Sequence, residues 1–284
     1  MSAASDLAGA LAWARKHIVP SEARLLLRHV HRCQAAQLAA WPEEALPAVE
    51  WETFRRLVER REAGEPLAYL TGLREFYGRD FLVTPAVLIP RPETELLIDL
   101  ALSRFSEEPR LKALDLGTGS GVLAITLALE LDCAEITALD QSNEALEVAK
   151  SNAARLGANL AFLRSDWYAA LGGERYQLIV ANPPYIAEGD PHLAMGDLRF
   201  EPRAALAAGE NGLASLAHII SGAGRHLEDG GWLLMEHGYD QSAAVRGLLA
   251  DAAFTDIASW PDLAGIDRVS GGRWAGMPRE EGAG

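Results

Sequence analysis

The sequence predicts an α/β fold: a Rossmann-like domain whose parallel sheet is covered by helices on both faces, preceded by a small helical domain. Three observations predict it. Residues 1–72 show helical apolar spacing and no strand-like run. From Leu111 onward, short apolar runs alternate with helix-period segments, the pattern of a parallel sheet wrapped by helices. At 115–121 a glycine-rich turn joins the first of those runs to a helix.

The elements follow in order. Residues 1–17 read as an amphipathic helix. Ser21 is the expected N-cap of ARLLLRHVHR, and AVEWETFRRLVERREAG keeps helical spacing until Gly64 stops it. Arg55, Arg56, Arg60 and Arg61 on that helix read as a solvated face with neighbouring acids, with partner binding as the alternative. The period then changes. LREFYGRDFLVTPAVLIP, at 73–90, is rich in β-formers and punctuated by Gly78 and Pro85, which predicts a hairpin linking two domains. Pro92 suits the first turn of the helix ETELLIDLALSRF, because a first-turn N–H has no partner to lose.

Next come the strand LKALDL, a helix from about Ser120 to Glu130, the strand EITALD and the helix SNEALEVAKSNAARLG. LAFLRSD, YQLIVAN, a helix around 212–228 and GGWLLMEH continue the alternation, and a last helix and strand-like runs near 253–260 and 266–275 close it. The expected domains are therefore 1–72 (helical), 73–92 (hairpin linker) and 93–276 (α/β), with a loose Gly/Glu tail at 277–284.

Composition narrows the function classes. With 49% apolar and 23% charged residues the chain is expected to be globular. No apolar run approaches the roughly 18 residues that span a bilayer, and the N-terminus lacks the pattern of a secretion signal. Cys33 and Cys133, the only cysteines, offer neither a metal spacing nor a disulfide framework, so a reducing cytoplasm and no bound metal are expected. The net charge is −14, and residues 1–78 hold ten basic and ten acidic residues, so all of it falls on the remainder. A surface that grips phosphates needs the opposite sign, which weighs against a nucleic-acid substrate.

The chemistry sits at successive strand ends. Gly117-Thr118-Gly119-Ser120-Gly121 follows a buried strand and opens a helix. Its glycines let a ligand approach the backbone, but the spacing is Gly-x-Gly-x-Gly, with Val122 where a dinucleotide fingerprint needs its third glycine. The next strand ends at Asp140, 23 residues after Gly117, placed to accept both hydroxyls of a ribose. The third ends in Ser165-Asp166-Trp167, where Asp166 can accept an adenine amino group and Trp167 can pack on the purine. A nucleoside cofactor without phosphates fits this set, and S-adenosylmethionine is one.

YQLIVAN then runs into Pro183-Pro184-Tyr185, which puts Asn182 at the same sheet edge. An amide nitrogen is a poor nucleophile, because its lone pair is delocalised into the carbonyl. The Asn182 side-chain oxygen and the Pro183 carbonyl can accept both hydrogens of a substrate NH₂ and hold it in the geometry of the transition state. The prolines stiffen the turn, and Tyr185 can cover one face of a planar group.

These residues resemble the HemK/PrmC protein-(glutamine-N5) methyltransferases. The resemblance rests on GEPLAYLTGLREFYGRDFLVTPAVLIPRPETE (64–95), LDLGTGSG (114–121), DQSNEALEVAKSNA (140–153), SDWY (165–168), NPPYI (182–186), EPRAAL (201–206), GLASL (212–216) and DLAGIDRVSGGRW (262–274). Phe200 and Ile266 depart from it slightly, standing where tyrosine and a basic residue are common.

The resemblance implies a class I S-adenosylmethionine-dependent methyltransferase: a seven-stranded sheet joined by a hairpin to a helical substrate-recognition domain. It implies that Gly117 to Gly121, Asp140, Trp167 and Asn182 hold the cofactor, and that Asn182 to Tyr185 hold the substrate. That substrate would be the glutamine of the Gly-Gly-Gln loop of peptide-chain release factors, and the product cofactor S-adenosylhomocysteine. A monomer free of nucleic acid and membrane is expected.

Three alternatives stay open: a ribosomal-protein glutamine methyltransferase, an amino-methyltransferase acting on nucleic-acid bases, and a non-catalytic cofactor-binding module. Glu236-His237 closes a strand and could face the methionine end of the cofactor, but is expected as a packed or solvated strand end. Arg91 and Glu93 read equally as organisers of the domain junction or of the substrate mouth.

Overall fold

A computed structural model describes residues 6–131 and 134–276. The expectations for residues 1–5, Cys133 and the 277–284 tail lie outside the described residues. The chain forms two units, one ending at Leu73 but including Met195–Phe200, the other comprising Arg74–Ala194 and everything from Glu201 on.

The first unit is helical: α1 (Leu7–Ala14), α2 (Pro20–His31), α3 (Ala35–Ala40), α4 (Ala48–Glu62) and α5 (Leu67–Thr71). Leu7, Leu26, Leu27, Phe54 and Val58 are fully buried between them, and Trp13 meets Trp51 edge-on at 5.0 Å. The α2 start differs from the sequence expectation. Its cap is Val19, with Pro20 in the first turn, where the fixed φ suits a helix and the missing N–H costs nothing. Ser21 lies inside the helix.

The arginines of α4 are neutralised as expected. Arg55 pairs with Glu52 and Glu59, Arg56 with Glu52, Arg60 with Glu65 and Arg61 with Glu22. Met195–Phe200 belongs here as well, although sequence alone assigns it to the α/β domain. Arg199 donates to the Ala63 carbonyl at 2.9 Å, and Asp197 lies 3.6 Å from Arg61.

The hairpin of β1 (Leu73–Phe76) and β2 (Arg79–Leu82) lies, from Arg74 on, in the second unit. A single 3₁₀ turn at Pro92–Thr94 then leads into α6 (Glu95–Phe105). The alternating region gives β3 (Leu111–Leu116), α7 (Val122–Glu130), β4 (Ala134–Asp140), α8 (Asn143–Leu156), β5 (Ala161–Arg164) and β6 (Tyr176–Ala181). It closes with α9 (Ala214–Ala223), β7 (Leu227–Glu236), α10 (Ser242–Asp251), β8 (Phe254–Pro261) and β9 (Asp267–Trp274).

Seven strands form one sheet in the order β5-β4-β3-β6-β7-β9-β8. Successive side chains of a strand face opposite sides. Leu178, Val180 and Leu234 accordingly join one core with α6 and α7, while Ile179, Ala181, Leu233 and Met235 join the other with α9 and α10. Burial on both faces is why these strands read as continuous apolar runs.

The sheet is mixed, not purely parallel: β9 runs antiparallel to both β7 and β8. The reason is local. Only five residues separate β8 from β9, too few for the crossover that a parallel pair requires.

Chain order reverses between β3 and β6. From β3 the chain steps outward to β4 and β5, then returns to place β6 against the other side of β3. Such a switch point opens a crevice at the carboxyl ends of the strands.

Candidate active site

A cavity of about 380 Å³ occupies that crevice. Of the residues singled out from sequence, Gly117, Thr118, Gly119, Ser120, Asp140, Asp166, Trp167, Asn182 and Pro184 line it. Gly121, Pro183 and Tyr185 do not.

The glycine loop is held from below. Gly117 and Thr118 donate their N–H groups to the Leu139 carbonyl at 2.9 and 2.8 Å, and the Thr118 hydroxyl donates to Asp115 at 2.7 Å. Asp115 is buried, which pushes its carboxyl up to about 7, and its Oδ1 has no partner among the described residues. Gly119 has φ +55, and a Cβ added there would meet nothing within 4 Å, so the loop leaves room for a ligand against its backbone. Gly121 has another task. At φ +86, its Cβ would lie 2.7 Å from Ile125 Cδ1 and 3.1 Å from Ala149 Cβ, so glycine there lets α7 start tight against α8.

Asp140 caps β4. Its two oxygens accept N–H groups of Gly119 and Ser142, each at 2.9 Å, and burial raises its carboxyl above the usual range. A carboxylate oxygen has two acceptor sites, so one remains on each for a pair of hydroxyls. After β5, Trp167 stands at φ +47, a conformation side chains rarely adopt. Ser165 braces that turn by donating to the Trp167 carbonyl at 2.6 Å while accepting the Ala170 N–H at 3.0 Å.

At the end of β6, Asn182 donates from Nδ2 to Thr94 Oγ1 at 3.1 Å. Thr94 in turn donates to Glu236 Oε2 at 2.6 Å, and Tyr185 donates to Glu236 Oε1 at 3.1 Å. The Tyr185 phenol is pushed well above its ordinary range, by burial first and then by the Glu236 carboxylate. Gly212 allows this turn to pack, because a Cβ there would lie 2.2 Å from the Tyr185 carbonyl oxygen.

Glu236 is 1% exposed, and burial raises its carboxyl against the pull of the two hydroxyls. His237 is packed too, against Ser270 Oγ at 2.7 Å. Glu236-His237 is therefore a packed strand end, and Glu236 joins the Asn182 network. Sequence reading missed Thr94 and this role of Glu236. The available signal was a carboxylate closing a strand buried in its last four positions.

Arg91 resolves as a brace of the cavity wall. It pairs with the buried Glu201, whose other oxygen accepts the Ile89 N–H at 3.0 Å. The pair ties the segment leading to Thr94 to the EPRAAL segment, whose Pro202, Ala204 and Ala205 also line the cavity. Arg91→Ala should cost about 3 kcal/mol of stability, because it leaves a buried carboxylate without its counter-charge. Urea unfolding checks this, and a loss under about 1 kcal/mol would make the pair dispensable.

Comparisons place these features among known proteins. Residues 94–209 match the model of the methyltransferase small domain, and residues 8–72 that of the PrmC N-terminal domain. The chain is 51% identical over 262 residues to the release factor glutamine methyltransferase of Burkholderia pseudomallei, covering 90% of this chain and 92% of that protein. Against the protein of the same name from Xylella fastidiosa (strain Temecula1) it is 47% identical over 268 residues, covering 94% and 98%. Among solved structures, a methyltransferase from Pyrococcus furiosus aligns with a TM-score of 0.53 at 17% identity, over 78% of this chain and 98% of that one.

Proposed function

This chain belongs to the release factor glutamine methyltransferase family, and we propose that it methylates the side-chain amide nitrogen of the glutamine in the Gly-Gly-Gln loop of a release factor. Its fold is that of the class I methyltransferases, and its cofactor is S-adenosylmethionine. The observation that carries the reading is the position of Asn182. It lines the same cavity as the glycine loop and Asp140, on a turn stiffened by two prolines.

S-adenosylmethionine supplies, when bound, a methyl carbon made electrophilic by its sulfonium. The residues present fit it. Gly119 leaves backbone room, Asp140 has an acceptor site left on each oxygen for ribose hydroxyls, and Asp166 and Trp167 line the same cavity and would hold the base. Asn182 Oδ1 and the Pro183 carbonyl accept the two amide N–H groups of the glutamine, which aims the nitrogen lone pair. Tyr185 covers the amide plane. The methylated nitrogen is acidic enough to lose its proton without a dedicated base. Both acceptors leave a glutamate carboxylate without a favourable partner, so glutamate should be rejected by a factor on the order of 10⁴. The helical unit recognises the protein substrate, and the enzyme works as a monomer in the cytoplasm, where release factors act.

The deciding experiment incubates the enzyme with labelled cofactor and purified release factor, followed by peptide mass mapping. The Gly-Gly-Gln peptide should gain one methyl group. Mass gained only by a ribosomal protein, only by nucleic acid, or by nothing sinks the proposal. Salt provides a second check. Raising it from about 50 to 200 mM should change release-factor methylation by less than about tenfold, whereas a phosphate-gripping enzyme loses roughly 10³- to 10⁵-fold in affinity.

A further inference from the structure

We propose that Thr94 and Glu236 are positioning residues that fix which end of the Asn182 amide faces the substrate. The inference rests on the proposed transfer to a glutamine amide, for which Asn182 must present its oxygen. An asparagine amide is nearly symmetrical in shape, so packing alone distinguishes its two ends poorly. If the NH₂ end turned to the cavity, it would oppose the substrate NH₂ donor to donor.

The network removes that ambiguity by the direction of its hydrogen bonds. Glu236 lies at the end of β7, with Tyr185 Oη donating to Oε1 at 3.1 Å and Thr94 Oγ1 donating to Oε2 at 2.6 Å. With one hydroxyl donating to each of its two oxygens, the Glu236 carboxylate is the acceptor in both bonds. Thr94 must therefore spend its one proton on Glu236, so toward Asn182 it offers only a lone pair. Asn182 meets it with Nδ2, at 3.1 Å, and Oδ1 is left for the cavity.

Thr94 and Glu236 are 2% and 1% exposed, so water does not compete for these bonds, and their directions hold together. None of this is local in sequence: Thr94 is 88 residues from Asn182 and 142 from Glu236.

Glu236→Gln preserves shape but can donate. Thr94 can then turn around and direct its proton at Asn182, which frees the amide to flip. Thr94→Val removes the acceptor, while Thr94→Ser keeps it. Glu236→Gln and Thr94→Val should each lower kcat about 100-fold, with KM for release factor and Kd for S-adenosylmethionine held within about threefold. Thr94→Ser should retain most of the activity. The double variant should be no slower than the worse single one, because both disable the same lock.

Turnover of Glu236→Gln within about threefold of wild type overturns the proposal. So do equal damage from Thr94→Ser and Thr94→Val, or losses that multiply in the double variant. Thermal melting shows whether each variant folds, and Thr94→Ala replaces Thr94→Val if that one does not. NMR of the Asn182 side-chain amide tests the lock without any substrate. Its resonances should move in Glu236→Gln and Thr94→Val but not in Thr94→Ser, and unmoved resonances in all three overturn the lock. A wild type that methylates no release factor would instead defeat the functional reading and leave the NMR result to decide the lock.

Discussion

Asn182→Ala should slow methyl transfer roughly 10²- to 10³-fold, the usual consequence of deleting one preorganised partner of the transition state. The place of Asn182 in the cavity wall beside the glycine loop and Asp140 fits the proposed role. The residue directly follows β6 in the cavity wall, and the next two positions are stiffened by proline. Alanine retains the turn but deletes one of the two acceptors proposed to orient the substrate nitrogen. Cofactor affinity should fall only a few-fold, because the glycine loop and Asp140 do not depend on Asn182 for their hydrogen bonds. Single-turnover kinetics with saturating cofactor, beside a calorimetric Kd, separate the two effects. Transfer within a few-fold of wild type would remove Asn182 from the chemistry.

The second large effect falls on binding. Asp140→Ala should weaken S-adenosylmethionine by about 100-fold or more, since hydrogen bonds to a charged group are worth roughly 1.5–3 kcal/mol each and the two proposed ribose bonds are lost. The loop suffers as well, because Gly119 loses the carboxylate that holds its N–H at 2.9 Å. Once cofactor is saturating, the rate of transfer should recover to within about tenfold, since Asp140 does not touch the reacting nitrogen. A Kd that stays near wild type would place the ribose elsewhere. An unrecovered rate with normal binding would give Asp140 a different task.

The hairpin, helix and strand succession was legible because each element advertises itself locally, by period and by glycine or proline punctuation. Where local signals were silent or competed, the structure differs. Pro20 outcompeted Ser21 as the start of α2, and Met195–Phe200 left the domain whose sequence surrounds it. A short turn also reversed β9 inside an otherwise parallel sheet.

Site residues divide in the same way. The loop at 117–121, Asp140, Asp166-Trp167 and Asn182 could be found because each ends or closely follows a strand, and one sheet edge collects them. Gly121 shows the limit of a motif: its glycine is required by the packing of α7 against α8, a demand invisible in the spacing Gly-x-Gly-x-Gly.

By itself, the sequence determined that a glycine loop, an acidic strand end and an Asn-Pro-Pro-Tyr turn stand at neighbouring strand termini. Periodicity and strand length suffice for that. Only the tertiary structure decided that Thr94 and Glu236 meet beneath Asn182, and that Arg91 closes on Glu201. Those pairs lie 142 and 110 residues apart, so only the folded chain brings them together. Hydrogen-bond direction within a buried network then gives each partner a role that no stretch of sequence expresses.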